Sequence, residues 1–542
     1  AGIDYNQQNQ NTFKPRALDA YTHFSSSEGT ITKDLSILNE NLLTYTYNYL
    51  DKHNLKIMLG LSFQKDQSFN NKGKAMNGPN DKIHYVGAGW GGANGLNNTG
   101  TAADPFYVSA FEYSSGFSEE RMNSYFGRLT YNYKEKYLFE ATLRRDGSSV
   151  FGEDVRWATF PSIAVGWTFS DEKFMKPFYW LSFGKIRASW GVSGQKFSQR
   201  YLSQGLLSAN GTTFHGDIAM FPDIRGGVIN KKLSWEETNQ YDLGFDLSFL
   251  DYRLRLVIDY YYRYTKGQLN QISLPGDIYY HQFQWQNGMA ISNQGLELEL
   301  EADILRHTAV KWKMKFNASR NWNRFEKSAD GFDFMEQVIG KPLHQIKVFK
   351  TDGFYNSLDE VPVYYLANKE VQPLYSGITA GIYLPGSRRL VDLNGDGRIT
   401  EDADVYFAES PLPLAHGGFI NQLRWKNFDL NIFFNYSLGR HIVKVYDDVS
   451  MTANGSAKPL FVDVNDVKIW TEAGSKADYP KSQVYAYLMN QTSGRYDCDI
   501  ESVSFLRLKQ LTLGYNVGER VLNKLKISGA RIFVTGENLF LL

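Results

Sequence analysis

The run whose residue types and spacing best match an ion-binding loop is Asp392-Leu393-Asn394-Gly395-Asp396-Gly397-Arg398-Ile399-Thr400. Asp392, Asn394 and Asp396 fall at the first, third and fifth places of an EF-hand-type calcium loop. Gly397 stands at its sharp turn, Arg398 where a backbone carbonyl is contributed, and Ile399 where a side chain packs. The twelfth place is Ala403, where such a loop has a bidentate carboxylate; Glu401, Asp402 and Asp404 are near enough to substitute. The same residues also make an Asx-rich turn that needs no metal. Calcium held by Asp392, Asn394, Asp396 and the Arg398 carbonyl, at the 2.3–2.6 Å typical of oxygen ligands, is therefore one of two open expectations.

Other chemistry is thinner. Gly87-Ala88-Gly89-Trp90-Gly91-Gly92 fits the dinucleotide fingerprint but lies among glycines and asparagines, without a strand before it or a helix after it. It reads as a loop, with Trp90, Tyr85 and Tyr107 as candidate ligand-stacking aromatics. Glu297, Glu299, Glu301 and Asp303 alternate along one segment and Lys311, Lys313 and Lys315 along the next. Alternating carboxylates could do acid–base work, yet cross-strand pairing with the lysines explains them better. Cys498 is the single cysteine, so no intramolecular disulfide or multi-cysteine metal site exists. No HExxH, nucleophile elbow or Walker sequence appears, and the chain is not expected to be an enzyme.

The elements around these residues have one pattern. In Arg121–Phe169, one parity reads Tyr125, Gly127, Leu129, Tyr131, Tyr133 and the other Arg128, Thr130, Asn132. After a tight Lys-Glu-Lys, Tyr137, Phe139, Ala141 and Leu143 oppose Glu140, Thr142 and Arg144; Ile163, Val165 and Trp167 continue the scheme. Alternation over about ten residues means strands with one apolar and one polar face. Charge on the polar face does not suit a packed sandwich core. A barrel with lipid outside and polar groups inside does suit it.

The pattern recurs in 43–49, 55–63, 241–249, 254–264, 296–302, 312–318, 417–425, 428–436 and 511–515. Short connections fall near 51–53, 134–136, 170–180, 250–252, 304–309, 425–427 and 516–525. Long ones fall near 67–120, 146–156, 194–233, 268–292, 325–414 and 440–502. The two kinds alternate, as short periplasmic turns and long extracellular loops do in outer-membrane barrels. About 14 spanning strands are expected. Residues 1–39 read as a polar lead-in with incomplete strand pieces, and 40–542 as barrel. The 58 basic and 58 acidic residues balance, which gives no argument for nucleic acid. A mean hydropathy of -0.40 is compatible with a barrel, since only alternate residues meet lipid.

Several stretches together resemble one family, the SusC/RagA-type TonB-dependent outer-membrane transporters of Bacteroidota. They are SYFGRLTYNYKEKYLFEATLRRDGSSVFG, FPSIAVGWTFSDEKF, IRASWGVSGQ, DLNGDGRIT, GGFINQLRWKNFDLNIFFNYSLG, FLRLKQLTLGYN and ARIFVTGENLF. The resemblance implies an all-β transmembrane antiparallel barrel of 22 strands around an N-terminal plug. It also implies import of glycans or peptides, energised through TonB, with a SusD-like surface lipoprotein closing the outer mouth. Plug and TonB-binding segment are not within these residues, so the chain is expected to be an internal piece of a longer protein. The alternative to transport is a SusC-like barrel serving as a scaffold subunit.

Overall fold

The computed structural model describes the chain except residues 19–24, 77–79, 83, 87–110, 205–206, 209–212, 215–216, 219–220, 223–226, 276–282, 335–336, 362, 366–370, 374–383, 397–398, 444–467 and 479–495. Fifteen strands make one antiparallel sheet in which every neighbour in space is the neighbour in sequence. They are β1 (Gly2–Lys14), β2 (Ser26–Tyr49), β3 (His53–Met76), β4 (Phe111–Tyr133), β5 (Tyr137–Ser148), β6 (Trp157–Trp167), β7 (Leu181–Gln195) and β8 (Glu236–Phe249). β9 (Leu254–Ser273), β10 (Phe283–Leu305), β11 (Val310–Lys327), β12 (Ala415–Trp425), β13 (Phe428–Leu438), β14 (Phe505–Asn516) and β15 (Arg531–Leu541) complete it. This is the wall of an antiparallel membrane barrel, running from β1 to β15 without closing on itself among the described residues.

Register carries the two-faced pattern across the sheet. Leu43 pairs with Leu59, Leu59 with Gly127, Gly127 with Leu143 and Leu143 with Pro161, so one row of the apolar face crosses five strands. A slip of one residue would turn the whole apolar set inward. Tight turns hold the register. Leu50 and Asp51 both sit at positive φ (51° and 50°), as do Lys134 and Glu135 (55° and 56°), which is the left-handed pair a two-residue hairpin turn requires. The turns are closed by Lys52 N–H to Tyr49 O (3.1 Å) and Lys136 N–H to Tyr133 O (3.0 Å).

The structure extends the strands beyond the ends that alternation marks. β3 runs to Met76 and β4 starts at Phe111, so most of 67–76 and 111–120 is paired strand, where the sequence reads as loop. Residues 1–39 hold β1 and the first part of β2, paired over thirteen residues from Gly2–Leu38 to Lys14–Ser26. The apolar parity is broken in these extensions: Ile31, Leu35 and Ile37 are interrupted by Lys33, and Phe111, Tyr113 and Phe117 by Ser115 and Glu119, so periodicity is too weak there to mark a strand. Polar cross-strand bonds mark them instead: Tyr113 Oη to Asn71 Oδ1 (2.8 Å), Gln67 Nε2 to Glu119 Oε2 (2.7 Å) and Lys72 Nζ to Glu28 Oε1 (2.9 Å).

Candidate functional site: the inner wall and the outer loops

The polar parity forms the inner wall. Arg187 on β7 makes two bonds of 2.9 Å to the Asp246 carboxylate on β8, and its Nη2 lies 3.0 Å from Asp259 Oδ1 on β9. One guanidinium therefore ties three strands, the fork geometry that arginine supplies and lysine does not. Gly244 makes this possible, because a Cβ there would stand 2.4 Å from Asp259 Oδ1 and 2.7 Å from Arg187 Cζ. Arg144 likewise bonds Asp146 (2.8 Å) and Ser124 (2.8 Å).

The acidic and basic ladders of β10 and β11 meet more narrowly than the sequence suggests. Register places Glu301 opposite Lys315 and Asp303 opposite Lys313. Glu301 takes both lysines, with Lys315 Nζ at 2.8 Å and Lys313 in contact on the diagonal. Glu297 and Glu299 instead face Ser319 and Asn317. The structural reading of these carboxylates holds at Glu301, with Asp303 opposite a lysine that Glu301 takes, and leaves Glu297 and Glu299 on the polar wall.

Above the wall, the long connections have cores of their own. Phe349, Tyr355, Val361, Leu390, Ile399 and Tyr496 form a buried cluster joining the connection between β11 and β12 to the one between β13 and β14. Arg388 and Asp499 pair at 3.2 Å beside it, with the Arg388 side chain 12% exposed and that of Asp499 4%. A second cluster, Val150, Phe151, Phe160, Phe197, Leu233 and Trp235, locks the connection after β5 to the one after β7. Trp235 Nε1 donates to Arg156 O at 3.1 Å.

Asp392, Asn394 and Asp396 lie in one turn, the first half-buried and the other two exposed, close in sequence to buried Ile399 of the first cluster. Asp392 Oδ1 accepts from Gly395 N (2.7 Å), Asn394 Oδ1 from Asp396 N (3.0 Å), and Asn394 Nδ2 donates to Asp396 Oδ2 (2.9 Å). Arg398 lies outside the described residues. Asp404, one place beyond the expected twelfth position, is fully buried and accepts from Leu393 N (2.9 Å) and Thr400 N (2.7 Å). Its role as the clasp of the loop was not legible from spacing, since only its burial separates it from exposed Glu401 and Asp402. The glycine-rich run from Gly87 to Gly92, with Trp90 and Tyr107, also lies outside the described residues; Tyr85 is described and exposed. Cys498 is exposed and makes no disulfide.

Comparison with known proteins sets this geometry in a family. A family model described as TonB dependent receptor-like, beta-barrel matches residues 1–456. TonB-dependent receptor P3 of Formosa agariphila is 31% identical over 509 residues, 93% of this chain and 47% of that protein. TonB-dependent receptor SusC of Bacteroides thetaiotaomicron is 27% identical over 448 residues, 81% of this chain and 42% of that protein. A solved structure of the RagAB peptide transporter superposes with a TM-score of 0.76 at 21% identity, over 100% of this chain and 55% of that one. The chain spans about half the length of the curated relatives it matches.

Proposed function

The chain belongs to the TonB-dependent receptor-like β-barrel family, and from that membership we propose that it is the barrel wall of an outer-membrane transporter of the SusC type. It imports glycans or peptides through its lumen under a SusD-like lipoprotein lid, driven by the TonB complex acting on a plug. The observation that carries this reading is the division of labour along the wall. Short turns close one rim, while the connections on the other rim form packed cores above a lumen lined by Arg187, Asp246, Asp259, Glu301, Lys313 and Lys315. Long connections that build their own cores suit a binding surface rather than a simple return of the chain. The names of relatives support the class: one is SusC and one solved neighbour is a peptide transporter.

The calcium loop is carried in the same way, as a proposal for Asp392, Asn394 and Asp396 with the Arg398 carbonyl. The test of the main reading is purification of the full-length protein from native membranes, with mass spectrometry of what accompanies it, and uptake measured with and without TonB. A stoichiometric surface lipoprotein and TonB-dependent uptake are expected. Recovery of the barrel alone, with uptake indifferent to TonB, would replace import by the scaffold role.

A further inference from the structure

The lipid-facing parity is apolar along most of its length, with two arginines set at matching heights. Arg145 stands eight residues along β5 from Tyr137, whose hydroxyl bonds Glu172 in the short turn at the inner rim. Arg320 stands eight residues along β11 from Trp312, at the same rim. Register confirms the outward face in both: Arg145 pairs with Tyr125 and Thr159, and Arg320 with Leu296. Eight residues of tilted strand rise about 20 Å, four-fifths of an apolar band about 25 Å tall. Each guanidinium lies over a tryptophan ring, Arg145 over Trp157 (5.7 Å) and Arg320 over Trp322 (4.6 Å). Arginines at this depth extend toward the head-group level of the outer leaflet.

Arg145 differs from Arg320 in what lies below it. A groove of about 650 Å³ runs along the outer face, lined by Leu43, Leu59, Tyr125, Gly127, Leu143 and Arg145. Gly127 is its floor: Leu59 and Leu143 flank it in the same row and are 55% and 57% exposed. Tyr125 stacks on Trp157 (5.8 Å, 26°) to form the upper wall, and that indole lies flat over Gly147, where a Cβ would meet it at 2.7 Å. Among the described residues Arg145 has no carboxylate partner, and its contact is with the Trp157 ring. An apolar channel with one uncompensated cation at its outer end complements a lipid with an acyl chain below and an anion above.

We propose that Arg145 and the Gly127 groove seat one phosphorylated glycolipid of the outer leaflet, with its phosphate on the guanidinium and an acyl chain between Leu59 and Leu143. The proposal rests on the reading of this wall as an outer-membrane barrel. Its chemistry is recognition by a charge-assisted N–H···O contact and apolar burial, and no bond is made or broken. Arg320 has the same height and a tryptophan of its own, Trp322, beneath its guanidinium, which makes it the internal control.

The experiment is native mass spectrometry of the full-length protein in detergent with diphosphoryl lipid A as the probe, and phosphatidylglycerol and inorganic phosphate as competitors. Heat-modifiable gel mobility, measured separately, reports whether each variant forms the barrel. One lipid A is expected to remain bound to the wild type. Arg145→Gln should bind it about tenfold more weakly, the loss of one charged hydrogen-bonding group, while Arg145→Lys retains part of the affinity and Arg320→Gln retains all of it. Gly127→Leu, which fills the floor, should lose the lipid with Arg145 still in place. Equal retention by wild type and Arg145→Gln overturns the proposal, as does equal loss on Arg320→Gln or displacement by phosphatidylglycerol at equal concentration. Displacement by inorganic phosphate alone would overturn the acyl-chain part. Failure of gel mobility would count against the barrel reading instead.

Discussion

Arg187 on β7 stands opposite Gly244 and reaches diagonally to Asp246 on β8 through two parallel N–H···O bonds of 2.9 Å, and the same guanidinium reaches Asp259 on β9. Two carboxylates on adjacent strands are thus held together by one cation on the inner wall. Replacing Arg187 by Met removes the cation that both acids share. The side chain is 39% exposed, so solvent screens part of the effect. A loss of about 1–3 kcal/mol is expected from the charged hydrogen bonds. Arg187→Lys should recover less than half of it, because an ammonium cannot make the paired contact. Urea unfolding of the folded barrel, followed by tryptophan fluorescence, measures this; an unchanged midpoint in Arg187→Met would remove the three-strand tie from the account.

On β9 the apolar parity reads Leu254, Leu256, Ile258, Tyr260 and Tyr262, each paired with apolar or aromatic partners on β8: Phe249, Leu247, Phe245, Leu243 and Tyr241. Arg255, Asp259 and Arg263 take the inner parity. Leu254 begins at the inner rim, so Ile258 lies nearer the midplane than Leu256. Ile258→Arg should cost about 2–4 kcal/mol and Leu256→Arg less, following the depth dependence of charge on a lipid face. Val257→Ser, on the inner parity, should change little. Equilibrium folding into lipid vesicles orders the three variants. Equal costs for Ile258→Arg and Val257→Ser would mean that the two faces are not distinguished by lipid.

How far the sequence could be read follows from what lipid imposes. Where strands cross the membrane, each second residue is forced to be apolar, and pairs such as Leu43–Leu59 and Leu247–Leu256 were legible as parity before any register was known. Above the membrane that constraint ends. The pairing of Asn71 with Ser115, or of Thr12 with Glu28, leaves no periodic mark, so β1 and the ends of β3 and β4 read as lead-in and loop. The calcium-like spacing of Asp392, Asn394 and Asp396 was visible because a loop motif is local. The clasp by Asp404 is hidden, since it depends on burial that spacing does not show; its neighbour Val405 packs on the cluster around Tyr355. Arg145 is hidden for the opposite reason: alternation explains apolar residues on the lipid face and is silent about the cation among them.

Asp404 and the Asp392 turn make separable predictions. Asp404 is fully buried with backbone N–H groups of Leu393 and Thr400 on its two oxygens, so it holds the loop shut from inside, whatever the turn binds. Asp404→Ala strands both donors and should cost about 1–3 kcal/mol locally, seen as faster proteolysis between Leu390 and Asp404 with and without calcium. In the same turn Asn394 and Asp396 are exposed and Asp392 is half-buried, and each makes a bond within the loop. If they hold calcium, the ion must replace these bonds within the loop. Added calcium should then slow proteolysis of the wild-type loop, with an apparent Kd in the range of about 10⁻⁴–10⁻³ M seen in extracellular modules. Asp396→Ala should abolish the calcium effect while leaving the calcium-free cleavage rate close to wild type. Cleavage of the wild type that is indifferent to calcium and to EDTA would make the turn a purely hydrogen-bonded one, with Asp404 as its only essential carboxylate.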